Sequence, residues 1–178
     1  MLKNTPLRYG LISKSLHWLS ALTVVSLFIL GYWMIDLDYY SQWYQTAPHW
    51  HQSIGFILFS ITLIRLFWRF TQAQPKPVMT HSNIEKKSAK LIHLCIYILL
   101  LSIMIAGYLI STADGRVIEI FTWFEISSLG ELFLHQEDIA GNIHKYSAYL
   151  LMILSAAHAL AAIKHHFIDK DKTLARML

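Results

Sequence analysis

From Ser15 to Ile35 the chain runs for 21 residues without a charged side chain, and from Leu91 to Ala113 it does so for 23. Hydrocarbon offers no water to satisfy backbone N–H and C=O groups, so runs of this length are read as helices that cross a membrane. Two more segments fit. Trp50 to Arg69 is apolar apart from Arg65 near its end, and Ile143 to Ile163 carries no charge between Lys145 and Lys164. The composition agrees, with 55% hydrophobic, 13% aromatic and only 15% charged residues and a mean hydropathy of +0.42. An ordinary soluble domain is excluded. The expected fold is an all-α membrane protein, a four-transmembrane-helix bundle forming a single domain over residues 1–178, with spans at about 15–35, 50–69, 91–113 and 143–163.

The first run is too long for the apolar core of a signal peptide, and no Ala-x-Ala-like site follows it. Pro48 suits the start of the second helix. The linker before it, with Asp36, Asp38, Tyr39, Tyr40, Trp43 and Tyr44, has the aromatic and polar character of a membrane–water boundary. A polar loop with Pro75, Lys76, Pro77, Lys86, Lys87 and Lys90 is expected between the second and third spans. In the long segment from Asp114 to Gly141, residues Ile118 to Ile126 read as a short interfacial amphipathic helix.

Charge sets the orientation. The N-terminal segment, the loop between spans two and three with the end of span two, and the tail hold 13 of the 15 Lys and Arg residues. The other two connections hold Arg116 and Lys145 against eight acids: Asp36, Asp38, Asp114, Glu119, Glu125, Glu131, Glu137 and Asp138. By the positive-inside rule both termini are cytoplasmic and the acidic loops lie outside. The net charge of +4 is thus a topology signal, and no nucleic-acid partner is expected; the surrounding lipid is the first partner.

Histidine placement carries the chemistry. His144 and His158 stand fourteen residues apart in the last span, which returns them to within roughly 40° on one helix face and about 21 Å apart along it. Small residues, Ser155, Ala156, Ala157, Ala159, Ala161 and Ala162, crowd the second of them and admit a bulky flat group. His17 enters the first span from the inner side, at the depth of His158. His51 opens the second span from the outer side, at the depth of His144, and Gly55 one turn later leaves room for a ring. Two facing imidazoles can supply both axial positions of a haem iron, so the chain offers two bis-histidine sites at two depths. Each histidine alone reads equally well as a polar group satisfied inside a bundle; two pairs at opposite depths do not. Cys95 is the single cysteine, so no Cys-x-x-Cys-His attachment exists and the haems would be b-type, non-covalently held.

Other polar residues are less constrained. His93 stands at the entrance of the third span, and three roles are open to it: a ligand in place of His17, a group beside the inner haem or a quinone, or an interfacial histidine. Arg65 and Arg69 are placed to face the propionates of an inner haem, and both also fit ordinary positive-inside flanking, Arg69 the more so. His49 reads as interfacial. His165 and His166 with Lys164 and Lys170 form a polar cluster that could bind propionate, exchange protons with a quinone or be solvated.

Leu16-His17-Trp18-Leu19 after a basic start, His51 with Gly55, Leu91-Ile92-His93-Leu94, His144 with His158, and the tail Lys170-Asp171-Lys172-Thr173-Leu174-Ala175-Arg176-Met177 together resemble the bacterial cytochrome b561 family. The resemblance runs over all four spans. It implies a multi-pass protein of the bacterial inner membrane with two b haems on His17, His51, His144 and His158, exchanging electrons with ubiquinone or another quinone in respiratory electron transport. It further implies either a membrane subunit serving a periplasmic redox protein or a superoxide oxidase that reduces quinone. The acidic outer loops suit a cationic protein better than an anionic substrate such as superoxide.

Overall fold

The apolar runs fold as four helices in the computed structural model, which describes residues 1–78 and 81–178: α1 (Leu11–Met34), α2 (Thr46–Thr71), α3 (Asn83–Ser111) and α4 (Gln136–Phe167). All four are long and apolar enough to cross a membrane. Their large apolar side chains point outward. Leu22, Ile29, Phe67, Ile98, Ile153 and Leu160 are all exposed, an arrangement costly in water and natural in lipid. Inside, Leu27 of α1, Leu58 of α2, Leu100 of α3 and Leu151 of α4 meet in one apolar cluster. α1 packs along α2 and α3 along α4, while α2 and α3 touch more sparingly, so the bundle is two helical hairpins set side by side.

The helices overrun the charge-free stretches. α3 starts at Asn83, not near Leu91, because Ser82 and Glu85 form a capping box: the Ser82 hydroxyl accepts from the Glu85 N–H at 3.2 Å and the Glu85 carboxylate from the Ser82 N–H at 2.8 Å. Lys86, Lys87 and Lys90, expected in a loop, are therefore helical, and the connection shortens. α4 starts at Gln136, seven residues before Ile143. Glu137 and Asp138 in its first turn and Lys164, His165 and His166 in its last complement the helix dipole, so charge favours helix at both ends. The uncharged run covers only part of each such helix.

The interfacial helix expected at Ile118–Ile126 is a β-hairpin instead. β1 (Ile118–Ile120) pairs antiparallel with β2 (Phe124–Ile126), with Glu119 opposite Glu125 and Phe121 at φ 49° in the turn. Alternation decides it. Ile118 and Ile120 are buried while Glu119 is exposed, a period-two pattern that a helix cannot present to one face. Ser53 of α2, fully buried, accepts a hydrogen bond from the Phe121 N–H at 2.9 Å and docks the hairpin on the bundle. Gln136, also buried, donates to the Leu109 carbonyl at 2.9 Å and accepts from the Leu132 N–H at 2.8 Å, tying the rest of that connection to α3.

Both termini lie on the other side. The Trp18 indole donates to the Met177 carbonyl at 2.8 Å, the Lys14 ammonium to that of Leu178 at 2.7 Å, and Arg176 to that of Lys76 at 2.7 Å. The tail, with a 3₁₀ turn at Leu174–Arg176, thus folds back under α1 and α4.

Candidate functional site

α4 sets two imidazoles on one face with Leu151 midway between them, and each meets a ring from the other hairpin. His158 faces His17 of α1 with ring centres 6.3 Å apart, and His144 faces His51 of α2 at 6.1 Å. A metal held in line between two imidazoles lies ~2 Å from each nitrogen, and each nitrogen ~1.1 Å from its ring centre, so such rings stand roughly 6.2 Å apart. Both pairs have that separation. The first lies toward the termini, the second toward the hairpin side.

His93 approaches His158 at 5.1 Å between ring centres, too short for a metal in line, and so stands beside the His17–His158 pair. It is not at a helix entrance as expected, because α3 begins ten residues earlier. His49 belongs to neither pair.

Second contacts set the ring protons. The His144 Nδ1–H donates to the Ile103 carbonyl at 2.8 Å, which leaves the Nε2 lone pair free. His51 Nδ1 is buried with no hydrogen-bond partner among the described residues. The Arg65 guanidinium, lying over the Tyr97 ring, donates to His17 Nδ1 at 2.9 Å, so in this arrangement the His17 proton is on Nε2. Arg69 lies in the last turn of α2.

Glycines make the space. A Cβ at Gly31 would lie 3.1 Å from His51 Cε1, and one at Gly107 would lie 3.3 Å from His144 Cε1 and Nδ1, so each ring is backed by a glycine. At Gly55 a Cβ would meet nothing within 4 Å, in keeping with room for a ring at that point. The roles of Gly31 and Gly107 were not foreseen from the sequence, although a signal was there. The fourteen-residue interval of His144 and His158 recurs as His17 and Gly31, as His51 and Arg65, and as His93 and Gly107. Halfway along, at Val24, Leu58, Leu100 and Leu151, each helix contributes to the apolar layer.

Several other polar side chains have partners away from the two pairs. Arg116 pairs with Asp114, and Lys145 lies 6.0 Å from the Tyr146 ring centre. Lys164 is 2.8 Å from Asp169 and 3.6 Å from Glu85, while His165 lies against Asp169 and Asp171 and stacks on His81. His166 packs edge-on against Phe167.

The family model described as prokaryotic cytochrome b561 matches residues 8–178. The chain is 47% identical to cytochrome b561 homolog 2 of Escherichia coli K12 over 98% of its own length and 93% of that protein. It is 28% identical to cytochrome b561 homolog 1 of the same organism, over 92% of each. Over 96% of each chain it is 26% identical to the probable superoxide oxidase CybB of Yersinia pestis.

Proposed function

The chain belongs to the prokaryotic cytochrome b561 family of membrane electron-transfer proteins, and on that premise we propose that it carries electrons between the quinone pool and a redox partner through two bis-histidine b haems. The observation that carries this reading is the separation of the ring centres, 6.3 and 6.1 Å, at two depths of one bundle. His17 and His158 would hold the haem nearer the termini, His51 and His144 the other. A haem held by two imidazoles there would supply one-electron exchange.

The residues around each pair do the rest. The Ile103 carbonyl holds the His144 ring in the tautomer that offers Nε2. His17 can offer Nε2 only with its proton on Nδ1, a nitrogen that then no longer accepts from Arg65. The guanidinium, freed from that ring, is available to a propionate carboxylate. Leu27, Leu58, Leu100 and Leu151 keep water out of the middle of the bundle. His93, beside His158, is the group best placed to exchange a proton with ubiquinone or another quinone. Adding a short-chain ubiquinol to the oxidised purified protein is expected to raise the reduced-haem α-band; a spectrum that stays oxidised with every quinol tried overturns the quinone assignment.

The charge distribution supports cytoplasmic termini and the bacterial inner membrane, with the hairpin facing a periplasmic redox protein. Alkaline phosphatase fused after Asp38 or Glu131 should be active, and fused after Lys76 or Lys172 inactive. The reverse pattern overturns the orientation. Superoxide oxidation is the second reading, favoured by the similarity to the Yersinia pestis protein. Against it, the hairpin side is acidic and the Arg116 charge is offset by Asp114. Haem reduction by superoxide faster than its own dismutation would favour that reading.

A further inference from the structure

Three segments far apart in sequence converge on the side of the termini: His81 before α3, His165 near the end of α4 and Asp171 in the tail. Asp171 Oδ2 lies 2.7 Å from His81 Nε2 and 3.7 Å from His165 Nδ1, and the candidate donor atoms of the three residues all lie within 4.8 Å of one another. The two imidazoles stack with ring centres 4.3 Å apart. Their side chains are 16% and 13% exposed, and that of Asp171 only 5%.

Two carboxylates face one imidazole nitrogen here: His165 Nδ1 lies 2.7 Å from Asp169 Oδ2 and 3.7 Å from Asp171 Oδ2. Asp171 takes the Thr173 N–H on Oδ1 at 2.7 Å and turns Oδ2 toward the rings. The Lys164 ammonium lies against Asp169 and Glu85, and these residues line with the triad a cavity of about 350 Å³.

We propose that His81, His165 and Asp171 bind one divalent zinc ion. Two imidazole nitrogens and one carboxylate oxygen are a donor set for a borderline transition metal and a poor one for magnesium or calcium. Tetrahedral ligands at ~2.1 Å stand roughly 3.4 Å apart, and the observed 2.7 and 3.7 Å straddle that value, so shifts of under about 1 Å close the triad on an ion. The cavity leaves room for water, or for Asp169, at the fourth position. Such an ion ties the tail to α3 and α4 on the face opposite the hairpin, and it is independent of the two histidine pairs in the bundle.

The test uses tag-free protein purified in detergent, stripped with chelator, equilibrated with zinc alone and passed over gel filtration. Elemental analysis should find one zinc per chain, and the zinc K-edge spectrum should fit two imidazoles and one carboxylate. His165→Gln and Asp171→Asn should each weaken titrated zinc affinity at least tenfold, with helical circular dichroism and elution volume unchanged. His81→Gln, outside every helix, provides the same comparison should an exchange near α4 disturb folding. Wild-type protein that retains no zinc, or variants that keep wild-type affinity, overturn the site.

Discussion

If the two proposed haems are bound, alanine at His51 or His144 is expected to remove about one of them from the purified protein, and alanine at His17 or His158 the other. The haem of each pair would be held by two imidazole bonds and apolar packing, with Arg65 added at the His17–His158 pair, since the single cysteine rules out the two-cysteine attachment motif, and removing an imidazole takes away one of the two bonds to iron. His93 is the control. Its ring centre is 5.1 Å from that of His158, against 6.3 Å for His17, so His93→Ala should keep both haems while slowing exchange with quinol. Pyridine haemochrome quantification against protein concentration reads the outcome directly. Two haems with an unaltered spectrum in His51→Ala, or loss of one haem in His93→Ala, would overturn the assignment of the pairs.

Gly55→Leu should be the most damaging change that touches none of the ligands. On the chain alone the substitution is harmless or better: leucine is favoured over glycine in a helix by about 0.8 kcal/mol, and a Cβ at this position meets no atom within 4 Å. Steric conflict arises only if that space is filled by a flat group on His51, one turn earlier on the same face. The expected result is a folded, membrane-inserted protein that has lost the haem of the His51–His144 pair and kept the other. Full occupancy in Gly55→Leu would mean that the open space is lipid-facing and that the porphyrin, if bound, lies elsewhere. Gly31→Val and Gly107→Val test the same centre from behind, because a side chain there pushes on the His51 or His144 ring at 3.1 or 3.3 Å.

Much of this architecture was legible in the chain because the signals are local. Uncharged runs long enough to cross hydrocarbon announce four helices, and the interval between His144 and His158 announces one face on α4. What failed to show did so for identifiable reasons. Ile118–Ile126 is too short for its period to stand out in the chain, and the alternation of buried Ile118 and Ile120 with exposed Glu119 shows only once the segment is packed on α2, where Ser53 accepts from the Phe121 N–H. The starts of α3 and α4 were hidden by charge, since Glu85, Lys86 and Glu137 read as loop residues until the capping box and helix dipole are considered. Gly31 and Gly107 have no chemistry of their own, and their place behind two imidazoles follows from the packing of other helices.

The sequence by itself determined the number of spans, their rough limits and the division of basic and acidic residues between the two ends, because length, hydropathy and charge are properties of contiguous segments. Only the tertiary structure decided that the His158 ring centre lies 6.3 Å from that of His17 and 5.1 Å from that of His93, that Arg65 reaches His17, and that His81 meets Asp171 across 90 residues of chain. Such contacts depend on the rotation and register of one helix against another. Each helix shows its neighbours several faces of similar apolar character, so the choice among them is made by the packing of all four together.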